Sequence, residues 1–367
     1  MMRAVTRRRV RRLLWTLSFS VMVGVVIGGA AGPMHGPPLL GLVLGALSGA
    51  ITAAILGVVI GGAEIFLPQT RLGQVLDRAP FVVAFAAKWI LYSGAIVLVL
   101  GSMVGRRVAA SLLLSPERAQ ALDTHMTSAP AMLGIAALAV LVAFTFSLVF
   151  ELGDLIGQQA LRDIVLGRYH RPRIEERFFL FIDITGSTPL AERVGARAVH
   201  RFLGEVFRLT SDPIEEHGGE VYQYVGDEMV ITWTVAGGRA GARAAASFFA
   251  VERALAGSAE MFEREFGAVP RLRAALHAGP VIAGEVGGSR RAIVYHGDVM
   301  NTASRLEQAA RDLNRQFLAS SDALEKLPRL DGLVLEDLGL QHLRGRVTPT
   351  HVYAISSKPL TTDPTTA

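Results

Sequence analysis

The sequence predicts a chain in two halves. The first is an N-terminal all-α membrane bundle of four transmembrane helices. The second is a C-terminal α+β domain with the ferredoxin-like order β-α-β-β-α-β. Three observations carry this expectation. Apolar residues make up 51% of the 367 residues, too many for one soluble globule, and the excess falls before residue 152. Four long apolar stretches follow one another there with almost no polar face. Beyond residue 177 the pattern changes to short apolar runs alternating with amphipathic stretches.

The membrane domain is expected over residues 1–151, with helices at about 13–31, 39–67, 82–104 and 131–151. Each stretch holds about the 20 residues that cross a hydrocarbon core; the second is longer and tilts or extends beyond it. Arginines set the orientation. Arg3, Arg7, Arg8, Arg9, Arg11 and Arg12 keep the N-terminus in the cytoplasm. The loop 32–38 has no Lys or Arg and falls outside; the next carries Arg71 and Arg78 and falls inside. The third carries Arg106, Arg107 and Arg118, against its outside assignment. Four crossings then make a multi-pass protein of the inner membrane, with the C-terminal half cytoplasmic. The basic start, apolar middle and small residues Ala30 and Ala31 also resemble a signal peptide, but the apolar segment is long for one, which favours an uncleaved anchor. Glu64 and Lys88 lie near the cytoplasmic ends of spans two and three; snorkelling of each to the interface is expected over pairing between helices. The partner of this half is the lipid bilayer, with room for an unidentified ligand or membrane partner.

Composition removes several functions. The net charge of +5 is concentrated in the arginines at the N-terminus, so it reads as a membrane-flanking feature and not as a nucleic-acid surface. There is no cysteine, which excludes disulfides, thiolate metal sites and cysteine nucleophiles.

Residues 152–177 form a helical linker. Leu152, Ile156, Ala160 and Ile164 recur every four residues beside Leu155, Leu161 and Val165, an amphipathic helix continuing from span four and stopped by Pro172. It either pairs two copies of the chain or lies on its own domain.

The C-terminal domain, 178–356, reads element by element. Residues 178–184 are a strand and 189–216 a helix. Residues 220–225 and 229–234 are strands joined by Gly226-Asp227-Glu228 as a hairpin. Residues 239–266 are a long Ala-rich helix, 272–286 strand-like with glycine interruptions, and 299–312 helical. Residues 334–343 and 350–355 are closing strands. The Thr- and Pro-rich tail 357–367 is expected to be disordered.

Two carboxylates stand out. Asp183 closes the first strand, followed by Gly186, Ser187 and Thr188, with Pro189 at a first helical position. A strand feeding a helix through small residues exposes N–H groups that can hold phosphate. Asp227 sits on the hairpin tip. In a β-α-β-β core the first strand and the hairpin are neighbours, so the two can converge on divalent cations. Hard oxygen donors without His or Cys point to Mg²⁺ or Mn²⁺, two per site. Taken singly, an aspartate at a strand end is more often a helix cap, and a Gly-Asp pair more often only a turn.

The combination of motifs is more specific. Phe181-Ile-Asp-Ile-Thr-Gly-Ser-Thr188, Val225-Gly-Asp-Glu228, His277-Ala-Gly-Pro280 with Gly284-Glu-Val-Gly287, Gly297-Asp-Val-Met-Asn-Thr-Ala-Ser-Arg305 and Leu343-Arg-Gly345 occur in order. This set resembles the catalytic domain of class III adenylate and guanylate cyclases. The resemblance implies a membrane-anchored, bacterial-type adenylate cyclase that converts ATP to cyclic AMP. It also implies metal binding by Asp183, Asp227 and the Ile184 carbonyl. Asn301 and Arg305 match the pair that orients the ribose and stabilises the transition state. Because that family draws its aspartates and its Asn/Arg pair from different subunits, one catalytic domain per chain implies a homodimer.

Three positions depart from the family pattern. Gln223 stands where a purine-reading lysine is common, Val294 where an aspartate is, and Arg344 where a triphosphate-binding lysine is. Gln223 offers an amide and Val294 nothing polar, so GTP is an alternative substrate. A weakly active or non-catalytic nucleotide-binding membrane sensor is a second alternative. A diguanylate cyclase would need a Gly-Gly-Asp/Glu-Glu-Phe hairpin, and Val225-Gly-Asp-Glu-Met229 does not supply it.

Overall fold

A computed structural model of the chain describes residues 2–31, 38–67, 70–76, 79–113, 129–288 and 291–357. The first loop up to residue 37, Arg78, Arg118 and the tail from residue 358 lie outside the described residues. The chain divides into two compact units, Met1–Leu161 and Arg162–Ala367.

The first unit is helical: α1 (Met2–Ala31), α2 (Pro38–Phe66), α3 (Arg71–Leu76), α4 (Phe81–Leu113) and α5 (Ala129–Ile156). Leu39–Ala63 and Phe81–Leu98 are long and apolar enough to cross a membrane; Leu17–Ala30 and Ala143–Gly153 are apolar but shorter. The helix α1 packs closely on α2. A Cβ at Gly24 would overlap the Gly49 carbonyl oxygen, and one at Gly28 the Gly45 carbonyl oxygen. Glycine at these crossings lets the two backbones approach directly. Tyr92 and Ile96 of α4 pack with Ala143 of α5 and with Leu56, Ile60 and Ala63 of α2. Lys88 does not snorkel alone: it pairs with Glu151 across α4 and α5, each side chain 14% exposed. Two charges within an apolar interface cost less together than apart. The side chain of Glu64 lies outside the described residues.

The linker differs from its expected form. Gly157, with φ +92°, interrupts the helix after α5, and α6 covers only Gln158–Val165. The helix therefore stops well before Pro172, and the first strand begins at Arg173, inside the expected linker.

The second unit is one mixed sheet covered by helices. Its elements are β1 (Arg173–Thr185), α7 (Ser187–Val194), α8 (Ala196–Glu216), β2 (Glu220–Val225), β3 (Glu228–Thr234), α9 (Val235–Arg239), a 3₁₀ turn at Ala240–Ala242, α10 (Arg243–Ala256), α11 (Ala259–Phe266), β4 (Arg271–Val286), β5 (Ala292–His296), α12 (Asp298–Asp312), β6 (Phe317–Ser320), α13 (Ser321–Lys326), β7 (Leu333–Gln341) and β8 (Thr350–Ser357). The strand order is β2-β3-β1-β4-β6-β8-β7, with β5 on the far end of β4. Among the described strands, β4–β6 is the one parallel pair.

Two expected helices are broken in two. The 189–216 helix divides at Gly195, whose φ of +83° ends one helix and opens the next. The 239–266 helix begins later and divides at Gly257 and Ser258. The short strands β5 and β6 escape the sequence pattern, because a run of four or five residues leaves little period-2 signal.

Alternation along β1 sorts the core. Phe178, Leu180, Ile182 and Ile184 face one side, where they pack with Val206, Ile214, Phe248 and Phe262 of the helices. Phe179 and Phe181 face the other side with Val230, Val281, Tyr295 and, from α12, Val299 and Ala303. Asp183 has the parity of Phe179 and Phe181, so it emerges on the α12 side of the sheet.

Candidate active site

Asp183 lies near the end of β1, just before the chain turns. Its side of the sheet is closed enough that it is only 8% exposed. Gly186, at φ +83°, turns the chain into α7, and no side chain caps that helix. Ser187 and Thr188 thus open α7 with their N–H groups at its N-terminus, and Pro189 has no N–H to leave unpaired. Ile184 buries its side chain in the opposite core layer, which leaves its carbonyl as its polar offering here.

Antiparallel pairing puts a row of charges side by side. Asp183 lies opposite Glu228 of β3 and opposite Arg273 of β4, and directly opposed residues share a face. The β2–β3 turn is Gly226-Asp227, and Gly226 at φ +66° supplies the positive φ that a two-residue hairpin requires. That turn holds Asp227 half-buried beside the α7 start, where the Ser187 hydroxyl donates to its carboxylate. From α12, Glu307 is buried with its Oε1 free of any hydrogen-bond partner. Arg311, one turn on, approaches Asp183 with Nη2 3.5 Å from Oδ2.

Four carboxylates are therefore gathered with little compensation. Burial, then the charge of Asp227, raises the Asp183 pKa, against the opposing pull of Arg311 and Arg273. Burial, then Glu307, Asp183 and Asp227, pushes Glu228 up to about 7. Glu307 is raised by burial and then by Asp183. Such crowding is relieved by an added positive charge. Among the described residues no three His, Cys, Asp or Glu side chains are arranged to hold one ion. Of these four carboxylates, Asp183 and Asp227 are the two that the sequence expects to hold a metal.

The helix α12 presents two different chemistries. Asn301 and Arg305 are one turn apart on one face. Arg305 donates to the Gly345 carbonyl, 3.2 Å away, in the β7–β8 loop. Arg346 of that loop binds Asp298 at 3.3 Å and also Thr302. Glu307 and Arg311 form a second i, i+4 pair. At about 100° per residue, Glu307 lies roughly 200° around the helix from Arg305. Within one chain, no hydrogen bond or ion pair among the described residues joins Asn301 or Arg305 to Asp183 or Asp227.

The remaining candidates are dispersed. Gln223 is exposed beside a bulge in β2. Val294 is half-buried on β5, opposite Gly284. Arg344 is exposed in the β7–β8 loop. The structure thus brings Asp183, Asp227, Ser187 and the α7 start together, and separately groups Arg305 with the loop of Arg344. Sequence reasoning missed Glu228, Glu307, Arg273 and Arg311. The hairpin fixes Glu228 beside the Asp227 turn, but its place opposite Asp183 depends on the β1–β3 register, which the turn does not set. Glu307 follows from the i, i+4 periodicity of α12. The signal for Arg273 was the β4 register, which no local pattern sets.

The family described as Adenylate and Guanylate cyclase catalytic domain matches residues 170–356. Adenylate cyclase 2 of Rhizobium meliloti (strain 1021) is 39% identical over 215 residues, 59% of this chain and 59% of that protein. An adenylate cyclase of Mycobacterium tuberculosis (strain ATCC 25618 / H37Rv) is 29% identical over 197 residues, 54% of this chain and 42% of that one. The chain therefore spans less than two thirds of the length of these relatives. A solved structure of a bacterial light-regulated adenylyl cyclase has a TM-score of 0.51 at 20% identity, covering 63% of this chain and 67% of that one, which is a likeness of fold. With more than half of its length matched by the family, this chain belongs to the adenylate and guanylate cyclase catalytic domain family.

Proposed function

We propose that this chain is a membrane-anchored class III adenylate cyclase that converts ATP to 3′,5′-cyclic AMP and pyrophosphate. The ribose 3′-hydroxyl attacks the α-phosphorus in line, the bond to the β-phosphate oxygen breaks, and pyrophosphate leaves. The observation that carries this reading is the under-compensated carboxylate cluster around Asp183 and Asp227, next to an uncapped helix start. Hard carboxylate oxygens gathered with so little opposing charge suit Mg²⁺ or Mn²⁺. Asp183, Asp227 and the Ile184 carbonyl would hold two such ions. When bound, these ions neutralise the triphosphate and make the ribose hydroxyl more acidic.

The protein's own groups supply the rest. Gly186, Ser187 and Thr188 offer N–H groups to phosphate oxygens. Asn301 orients the ribose. Arg305 presents a planar fork to the charge developing on the α-phosphate. Arg344 adds charge at the triphosphate. Gln223 and Val294 border the base. Since no hydrogen bond or ion pair among the described residues joins Asn301 or Arg305 to Asp183 or Asp227 within one chain, a second copy is read as completing a site that uses all four. A head-to-tail homodimer would provide two equivalent composite sites.

The anchor is read as four crossings at 13–31, 39–67, 82–104 and 131–151, within a membrane domain of residues 1–151. A linker over 152–177, a catalytic domain over 178–356 and a tail over 357–367 follow. The anchor makes the protein multi-pass in the inner membrane, with its N-terminus and catalytic domain cytoplasmic. The arginine distribution supports that orientation. Val294, with no polar group for an adenine edge, favours GTP as the second reading.

Product formation by the purified full-length chain tests this, with ATP and GTP supplied in parallel and Mn²⁺ or Mg²⁺ present. Cyclic AMP as the main product supports the proposal. Cyclic GMP as the main product moves the assignment to guanylate cyclase. No cyclic product from a folded dimer that binds nucleotide overturns it.

A further inference from the structure

Among the described residues, Arg311 is the one cation within 4.0 Å of Asp183. The contact is uneven. The Asp183 side chain is 12% exposed, whereas that of Arg311 is 62% exposed. The guanidinium reaches in from the last turn of α12, and its long arm can swing back to water without opening the core. Arg273 faces Asp183 across the β1–β4 ladder but makes no ion pair with it within that distance. In this arrangement Arg311, ahead of the more distant Arg273, partly neutralises Asp183, and both act on buried Glu307 as well.

A divalent cation seated on Asp183 and Asp227 would carry more charge than the guanidinium and lie within a few ångströms of it. Like charges at that separation repel strongly where water is partly excluded. The loose 3.5 Å contact to Arg311 is the weaker of the two interactions, so it gives way. The geometry points to Arg311 as a built-in counter-ion that competes with the divalent metal for Asp183, so that loading the site requires the Arg311–Asp183 contact to open. Arg311 is thus a positioning residue. It steadies a crowded carboxylate before metal arrives, and its presence weakens metal binding. Nothing in the sequence motifs assigns it this role, because it lies beyond the Asn301–Arg305 pair, in the last turn of α12.

This inference rests on the reading of Asp183 as a metal ligand, and the test separates the two. Mn²⁺ alone, without nucleotide, is titrated into the full-length chain in detergent, and free Mn²⁺ is followed by its paramagnetic resonance signal. Arg311→Gln is expected to bind Mn²⁺ about five- to tenfold more tightly than the wild type, the low end for coupling between neighbouring groups when one is exposed. Arg311→Lys, which keeps the charge, stays within about twofold of the wild type. In the metal-free state Arg311→Gln melts at a lower temperature, yet gains more from added Mn²⁺. A purely structural role would lower the melting temperature and leave the Mn²⁺ midpoint unchanged. If Asp183→Asn removes binding while Arg311→Gln and the wild type share one midpoint, the counter-ion proposal is overturned and the metal reading stands. Binding that survives Asp183→Asn unchanged, or binding to neither the wild type nor Arg311→Gln, overturns both.

Discussion

The two units of this chain treat half-buried charge in opposite ways. In the helical unit, Lys88 and Glu151 stand on different helices and neutralise each other. In the sheet unit, Asp183, Asp227, Glu228 and Glu307 crowd together, and one exposed guanidinium touches Asp183. The first arrangement is self-sufficient: removing Lys88 takes away the ion-pair partner of Glu151. The second is short of positive charge, and burial plus mutual repulsion raises three of its pKa values. A fold keeps such a cluster against its own stability where charge is to be brought from outside. This difference points to the sheet unit, and not to the Lys88–Glu151 pair, as the seat of the chemistry.

The comparison can be broken most severely at the aspartates. Asp183→Ala or Asp227→Ala is expected to lower cyclic nucleotide formation by at least about 10³-fold, the effect of losing several kcal/mol of charge stabilisation. Neither variant should melt below the wild type, because each relieves repulsion. A variant that loses activity only by unfolding would remove the support for a chemical role.

In the helical unit the opposite outcome is expected. Lys88→Ala should destabilise that unit by roughly 2–4 kcal/mol, since Glu151 is left unpaired in an apolar interface. The double variant Lys88→Met/Glu151→Met should recover most of the loss. Thermal unfolding in detergent measures both, and equal losses for the single and double variants would show that the pair is unimportant.

A gentler probe is pH. The folded-state pKa of Glu228 lies above its ordinary 4.5, at about 7, so the folded state favours the protonated carboxyl. That contribution to stability is complete below about pH 4.5 and is lost as pH rises through about 7. For this half-buried group, discounted for solvent screening, the loss amounts to roughly 1–3 kcal/mol in the metal-free chain. Glu228→Gln should flatten this dependence and melt higher than the wild type at about pH 8, above the raised pKa. Identical pH profiles would mean that Glu228 is not strained by its neighbours. The smallest effect is expected at the base. Gln223→Lys with Val294→Asp should raise the ATP-to-GTP preference about tenfold, because paired donor and acceptor groups then meet the adenine edge. An unchanged ratio would locate base reading elsewhere.

Much of the fold was legible because it rests on local pattern. The long apolar runs, the alternation along β1 and the Gly226-Asp227 turn each follow from neighbours in sequence. What failed to show depends on backbone choices that glycine permits without requiring. Gly157 and Gly195 interrupt segments whose hydropathy period runs through them, so the expected linker helix and the expected helix after β1 both run too long. The nearness of Asp183 and Asp227 was legible, because both sit at ends of adjoining elements. Arg311 is 128 residues from Asp183 in sequence, and only the packing of α12 on β1 brings them together. The pairing of Lys88 with Glu151 rather than with the interface was hidden for the same reason.

Whether the site is assembled from two copies of the chain is decided by subunit mixing. Asp227→Ala chains carry intact Asn301 and Arg305, and Arg305→Ala chains carry intact Asp183 and Asp227. Each alone is expected to be nearly inactive. Co-assembled, they should regain up to about a quarter of wild-type cyclic AMP formation, since random pairing makes about half of the dimers mixed and each mixed dimer has one whole site of two. No recovery, with mixed dimers demonstrated, would contradict the composite site.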